Sequence, residues 1–147
     1  LCYWQRPEET EKMFRGNRFV SGDFFYKDED GYFWLGGRED DIITTFGYRV
    51  SPFEVERVLS EHPAVNECAI TGIDVGEDKT ITTAFIVLKE TKRELELEKL
   101  KQELLDYVHR RLARYKCPRE IVFLKSLPKT ANGKIQRKVL REKYADL

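Results

Sequence analysis

The sequence predicts an α+β fold, and three observations carry that expectation. Leu97, Leu100, Leu104, Val108 and Leu112 recur at spacings of three and four between Glu94 and Arg114, the period of a helix with one buried face. "ECAITGI" and "TITTAFIVL" are β-branched runs on either side of a turn-rich "DVGEDK" and read as strands. Asp30-Gly31 and Asn132-Gly133 are turn pairs set between apolar runs, the signature of tight hairpins. From about residue 41 onward, helix and strand signals are interspersed, which gives mixed short sheets with flanking helices.

In chain order, "RFVSGDFFYKDEDGYFWL" (18–35) predicts two short aromatic strands joined at "DEDG". "GGRED" then interrupts the apolar pattern with two glycines and a charge cluster, and is read as a segment boundary. "DIITT" and "YRV" are short β-branched runs around Gly47. "SPFE" predicts a helix start, with Ser51 as N-cap, Pro52 at the first helical position and Glu54 closing a capping box. That helix is expected to run to about His62, where Pro63 stops it. After the long helix, "EIVFL" is a strand, "LPKTANGKIQR" a hairpin-like turn, and "RKVLREKY" a last short helix. No internal repeat or low-complexity tract is present.

At 147 residues, 41% hydrophobic and 35% charged, the chain fits one ordinary domain, or one small domain with part of another. No apolar run approaches the length of a membrane span. Cys2, Cys68 and Cys117 are widely spaced, with no Cys-x-x-Cys or Cys/His cluster. They read as reduced thiols of an intracellular protein and give no metal site. Net charge is zero but unevenly spread: Arg110–Lys143 carries twelve Lys or Arg against two acids, while Leu1–Ser60 carries twelve acids against eight bases. The basic third suits a polyanionic ligand, although on charge alone a solvated helix face is the more common explanation.

Three stretches hold residues able to do chemistry. Lys134 follows Asn132-Gly133, but Pro128 and Ile135 break the phosphate-loop pattern G-x-x-x-x-G-K-[ST]. A lysine on a rigid turn acts as a point charge that bridges phosphate and carboxylate oxygens; read alone, it is an ordinary surface residue. Arg38 precedes Asp40 and Asp41 on a glycine-rich corner, where it could grip a phosphate or ribose oxygen, or simply form local ion pairs. Asp23, after Gly22, offers a carboxylate to vicinal hydroxyls or to its own backbone. His62 and His109 are isolated, with no nucleophile beside them to support a catalytic triad.

Taken together and in order, "SGD", "GYFWLGGREDDIITTFGYRVSPFEVERVL", "HPAV" and "LPKTANGKIQRKVLR" resemble the carboxyl-terminal region of the acyl-adenylate-forming enzymes. "FGYRVSPFEVE" is most similar to the acetyl- and medium-chain acyl-CoA synthetases. The resemblance implies that residues 1–38 are the tail of a large adenylation domain, 39–40 a hinge, and 41–147 a small lid domain. It implies that Asp23 holds the ribose hydroxyls, Arg38 contacts the nucleotide and Asp40 is the hinge residue. Gly47, Tyr48 and Arg49 would meet coenzyme A, with Gly47 lining the pantetheine tunnel. His109, Arg110 and Lys116 are further candidates for its nucleotide end. Lys134 would bridge the acyl carboxylate and the α-phosphate during adenylation.

The implied activity is acid–thiol ligation: a carboxylic acid is activated with ATP to an acyl-adenylate and passed to coenzyme A. ATP, coenzyme A and Mg²⁺ are the implied cofactors, the metal held mainly by the large domain. That domain, with its phosphate loop and acyl pocket, is the implied partner and is missing from this chain, so the chain alone is expected to be inactive. No nucleic acid or membrane span is expected, and the cytoplasm is favoured over the mitochondrial matrix. Two alternatives stay open: an adenylation module that loads a carrier protein's phosphopantetheine, and a small basic nucleic-acid-binding module.

Overall fold

The computed structural model describes residues 3–76 and 79–145; Cys2, read above as a reduced thiol, lies outside them. The chain divides into two compact units, Leu1–Asp40 and Asp41–Leu147.

The first unit opens with α1 (Pro7–Lys12), which the sequence reading missed. Its signals were present: Pro7 at the first position, Glu8 and Glu9 in the first turn, Lys12 in the last. A small hairpin follows, β1 (Phe14–Arg15) and β2 (Arg18–Phe19), turned at Gly16 with φ +66°. The expected aromatic hairpin is β3 (Asp23–Lys27) against β4 (Phe33–Arg38), antiparallel, with Gly31 left-handed in the turn. Asp28 braces that turn through the Tyr32 N–H at 2.8 Å and the Trp34 indole N–H at 2.6 Å. Gly36 and Gly37 do not interrupt the strand. They form a bulge within β4, where the register shifts between Phe24 and Phe25 and Gly37 takes φ +122°.

The second unit begins with the hairpin β5 (Ile43–Thr45) and β6 (Tyr48–Val50), turned at Phe46-Gly47, both left-handed at φ +47° and +80°. Then come α2 (Pro52–Ser60), β7 (Val65–Asp74), β8 (Thr80–Leu88), α3 (Glu94–His109), β9 (Glu120–Leu124) and α4 (Arg137–Lys143). The sheet order is β7-β8-β9, antiparallel then parallel, with α3 in the parallel crossover.

Period-two alternation sorts the sheet into two cores. Cys68, Ile70, Ala84 and Ile86 join Val55, Leu59, Leu100, Leu104 and Val108 in one. Ala69, Ile73, Phe85 and Val87 join Leu127 and Leu140 in the other. Burying a side chain such as Leu104 contributes about 1.5–3 kcal/mol.

Three local expectations are corrected. The capping box at Ser51 is not formed: Ser51 makes no side-chain capping bond, and Glu54 is drawn instead to Lys116, 2.7 Å away. The same helix ends at Ser60, two residues before His62. The long helix ends at His109 rather than Arg114. Ala113 and Cys117 are extended (ψ 142° and 139°) around a 3-10 turn, Arg114–Lys116, and Pro118 enforces the second of these. Leu112 still packs on the core from outside the helix.

Candidate functional site

In the first unit, the bulge sets Arg38 directly opposite Asp23 across the β3–β4 pair. The guanidinium reaches Asp23 at 3.4 Å and Asp40 at 3.2 Å, so three of the expected site residues converge. The Glu39 N–H continues the pairing to the Gly22 carbonyl at 2.8 Å. A groove of about 720 Å³ lies beside them, walled by Arg6, Lys12, Arg15, Gly22 and Arg38 among others. Asp23 is only partly exposed, and a carboxylate has acceptor capacity for hydroxyl donors beyond its bond from Arg38.

In the second unit, the lysine turn is built differently from a two-residue Asn-Gly hairpin. Its central residues are Ala131 and Asn132, closed by the Gly133 N–H to the Thr130 carbonyl at 2.9 Å, and Gly133 alone is left-handed. The Lys134 N–H then meets Thr130 Oγ1 at 3.1 Å, and Lys129 and Ile135 form a bridge. The three cations of this stretch separate by role. Lys129 is bound to Glu67 at 2.7 Å. Arg137, one of the cations of the basic third, is mostly buried and fully engaged. It donates to both Glu56 oxygens (2.7 and 2.9 Å), to Asp41 (3.1 Å) and to the Ile70 carbonyl (3.2 Å). Lys134 is exposed and has no ion-pair partner among the described residues.

A cleft of about 360 Å³ lies between the β5–β6 hairpin and the segment after α3. Tyr48 and Tyr115 stack there with centroids 4.7 Å apart, and the Arg119 guanidinium covers the Phe46 ring at 4.3 Å. Arg114 lines the same wall. Flat rings beside guanidinium groups suit a ligand that joins an aromatic base to phosphates.

Of the expected coenzyme A residues, Tyr48 lines this cleft and Gly47 forms its hairpin turn. A Cβ at Gly47 would meet nothing within 4 Å. Arg49 is exposed on β6. His109 lines a neighbouring groove with Arg114 and Arg119, and Arg110 is exposed but lines neither. Lys116 is held by Glu54, whose hydrogen bond raises the lysine's pKa above its ordinary value. Phe46 and Tyr115 were missed; the aromatic beside Gly47 and the aromatic within "RYK" were the available signals.

Cys68 and Cys117 are buried thiols. Burial pushes Cys68 up to about 11 and Cys117 upward as well. Among the described residues no group of three or more His, Cys, Asp or Glu converges on a metal-sized site. No helix among them is long and apolar enough to cross a membrane.

Residues 54–134 match the family described as AMP-binding enzyme C-terminal domain. The mitochondrial acyl-coenzyme A synthetase ACSM3 of Rattus norvegicus is 43% identical over 141 residues, 96% of this chain and 24% of the relative. A second mitochondrial relative, the acyl-coenzyme A synthetase ACSM4 of Homo sapiens, is 45% identical over 140 residues, 95% and 24% respectively. Among solved structures, a benzoate CoA ligase from Burkholderia xenovorans LB400 superposes with a TM-score of 0.83 at 44% identity, covering 96% of this chain and 27% of that one. The anthranilate CoA ligase AuaEII, in complex with anthranoyl-AMP, gives 0.86 at 40% identity, covering 99% and 28%. The chain thus spans about a quarter of the length of the curated relatives it matches.

Proposed function

Because the chain belongs to the AMP-binding enzyme C-terminal domain family, we propose that it is the carboxyl-terminal portion of an AMP-forming acyl-CoA synthetase. In the first half-reaction a carboxylate attacks the α-phosphate of ATP, and two anions are forced together. Lys134 supplies positive charge where the negative charge gathers. Asp23 accepts from the ribose hydroxyls, and Arg38, steadied by Asp23 and Asp40, contacts the nucleotide. In the second half-reaction a thiol must reach the acyl carbon. The open space at Gly47 leaves its path clear, and the cleft at Tyr48 and Tyr115, with Arg114 and Arg119, receives the nucleotide end of coenzyme A. Arg49 provides a further cation for its phosphates.

On this reading residues 1–38 complete a large domain, 39–40 are the hinge, and 41–147 form a lid that presents Lys134 and Gly47 in turn. The carboxylic acid is chosen by the large domain. Among the described residues no group of three or more His, Cys, Asp or Glu gathers around a metal-sized site, and on this reading Mg²⁺ is held mainly by the large domain. The relatives' mitochondrial names favour the matrix over the cytoplasm.

The observation that carries the reading is the sorting of the turn's cations, which leaves Lys134 alone exposed and unpaired among the described residues. In the enzyme that carries this chain, Lys134→Ala should slow carboxylate-dependent exchange of pyrophosphate into ATP by roughly a hundred- to thousandfold. Acyl transfer from supplied acyl-adenylate to coenzyme A should be spared. Equal losses in both half-reactions would overturn the assignment, and preference for a carrier protein over free coenzyme A would move the acceptor.

A further inference from the structure

Arg137 sits three residues after Lys134, yet it has no charge to offer a ligand. Its guanidinium faces the carboxylates of Glu56 and Asp41, so the cluster as a whole is anionic. Every group that holds it belongs to a different element: Glu56 to α2, Ile70 to β7, and Asp41 to the start of the second unit. Lys129 pins the outgoing leg of the lysine turn to Glu67 of β7. Arg137 pins the returning leg to Ile70, three residues further along the same strand. Between the two anchors the legs are closed by the Lys129–Ile135 bridge and by the Gln136 N–H on the Pro128 carbonyl at 2.9 Å.

Building on the assignment of Lys134 above, we propose that Arg137 is a positioning residue for adenylation. Through Asp41, the residue that follows the assigned hinge Asp40, it fastens the lysine turn to the start of the lid, so that turn and hinge end move as one body. Lys134 then arrives at a fixed place for a given hinge angle. Without the Arg137–Asp41 bond the returning leg keeps its Glu56 pair but loses its tie to the hinge end. A small displacement of a charge that must meet two oxygens is enough to cost up to about a hundredfold in rate.

The test uses the enzyme that carries this chain. Asp41→Asn leaves the bidentate Glu56–Arg137 pair in place, so it is the variant that preserves the fold; Arg137→Lys is the conservative partner. Each is measured alone and combined with Lys134→Ala, by pyrophosphate exchange and by acyl transfer from supplied acyl-adenylate, with melting temperatures alongside. Asp41→Asn should slow adenylation about tenfold, and Arg137→Lys about tenfold to a hundredfold, with the KM for ATP and the transfer rate within about twofold. Neither should slow a Lys134→Ala enzyme further, because both act through that lysine. Parallel losses in both half-reactions, or losses that multiply with Lys134→Ala, would make Arg137 merely structural and overturn the proposal. If Lys134→Ala stalls adenylation while Asp41→Asn and Arg137→Lys do not, the positioning role alone fails. If Lys134→Ala leaves adenylation intact, the assignment of Lys134 fails first and this role with it.

Discussion

Lys116 Nζ lies 2.7 Å from the Glu54 carboxylate, tying the 3-10 turn after α3 to the first turn of α2. Both side chains are partly exposed, so the pair stabilises the fold by only about 0.5 kcal/mol. The bond to Glu54 raises the lysine's pKa, so the contribution is fully present below the ordinary lysine value of 10.5 and is lost as pH rises past it. Melting temperatures of the parent and Glu54→Gln chains should therefore differ by a constant amount from pH 7 to pH 10 and converge at higher pH. A difference that survives well above the raised pKa would show that Glu54 acts by packing.

Gly37 holds the bulge that sets Arg38 against Asp23, and its φ of +122° is hostile to any side chain. Gly37→Ala should cost about 1–3 kcal/mol in equilibrium unfolding of the first unit. Gly36→Ala is the control: its Cβ would meet the Phe24 carbonyl at an ordinary 3.5 Å, and the change should stay within about 0.5 kcal/mol. Comparable losses at both positions would deny the bulge its special role.

At Gly47 the backbone and the ligand make separable demands. With φ at +80° and no atom within 4 Å of a Cβ, Gly47→Ala and Gly47→Leu should destabilise the fold equally, by about 1–2 kcal/mol. Acyl transfer to coenzyme A in the whole enzyme should nevertheless fall further for leucine than for alanine, while pyrophosphate exchange tracks stability alone. Transfer rates independent of side-chain size would remove Gly47 from the thiol's path.

The Cys68 thiol, raised from 9.0 to about 11 by burial, should resist alkylation at pH 8 until the chain unfolds. Because the folded state holds this proton longer than the unfolded one, stability should decline between about pH 9 and 11. Replacing Cys68 with alanine should flatten that decline. A thiol that titrates near 9 in the folded chain would contradict the burial argument.

Legibility of the sequence followed the range of the interaction. Period-two and helical spacing placed β7, β8, α3 and β9 because burial of one face depends on neighbours two to four residues away. Family motifs gave Asp23, Arg38 and Lys134 their assigned roles without showing where each charge goes. What stayed hidden was long-range pairing. Glu54 resembled a local cap but meets Lys116, sixty-two residues on. Arg137 counted only as one cation of the basic third but meets Asp41, ninety-six residues back. The end of α3 was missed for a smaller reason: the stripe reaches Leu112, but the extended residue before Pro118 had to be weighed against it.

Ile70 lies on β7, at the border of the three-stranded sheet, and both its backbone groups are taken by side chains: its N–H by Glu56 at 2.8 Å and its carbonyl by Arg137 at 3.2 Å. A border strand with free amides and carbonyls is a template on which strands of other molecules assemble. Here an acid and a base stand where such a strand would attach. Loss of either should therefore show itself in concentrated solution, as a growing tendency to self-associate, as well as in a melting curve.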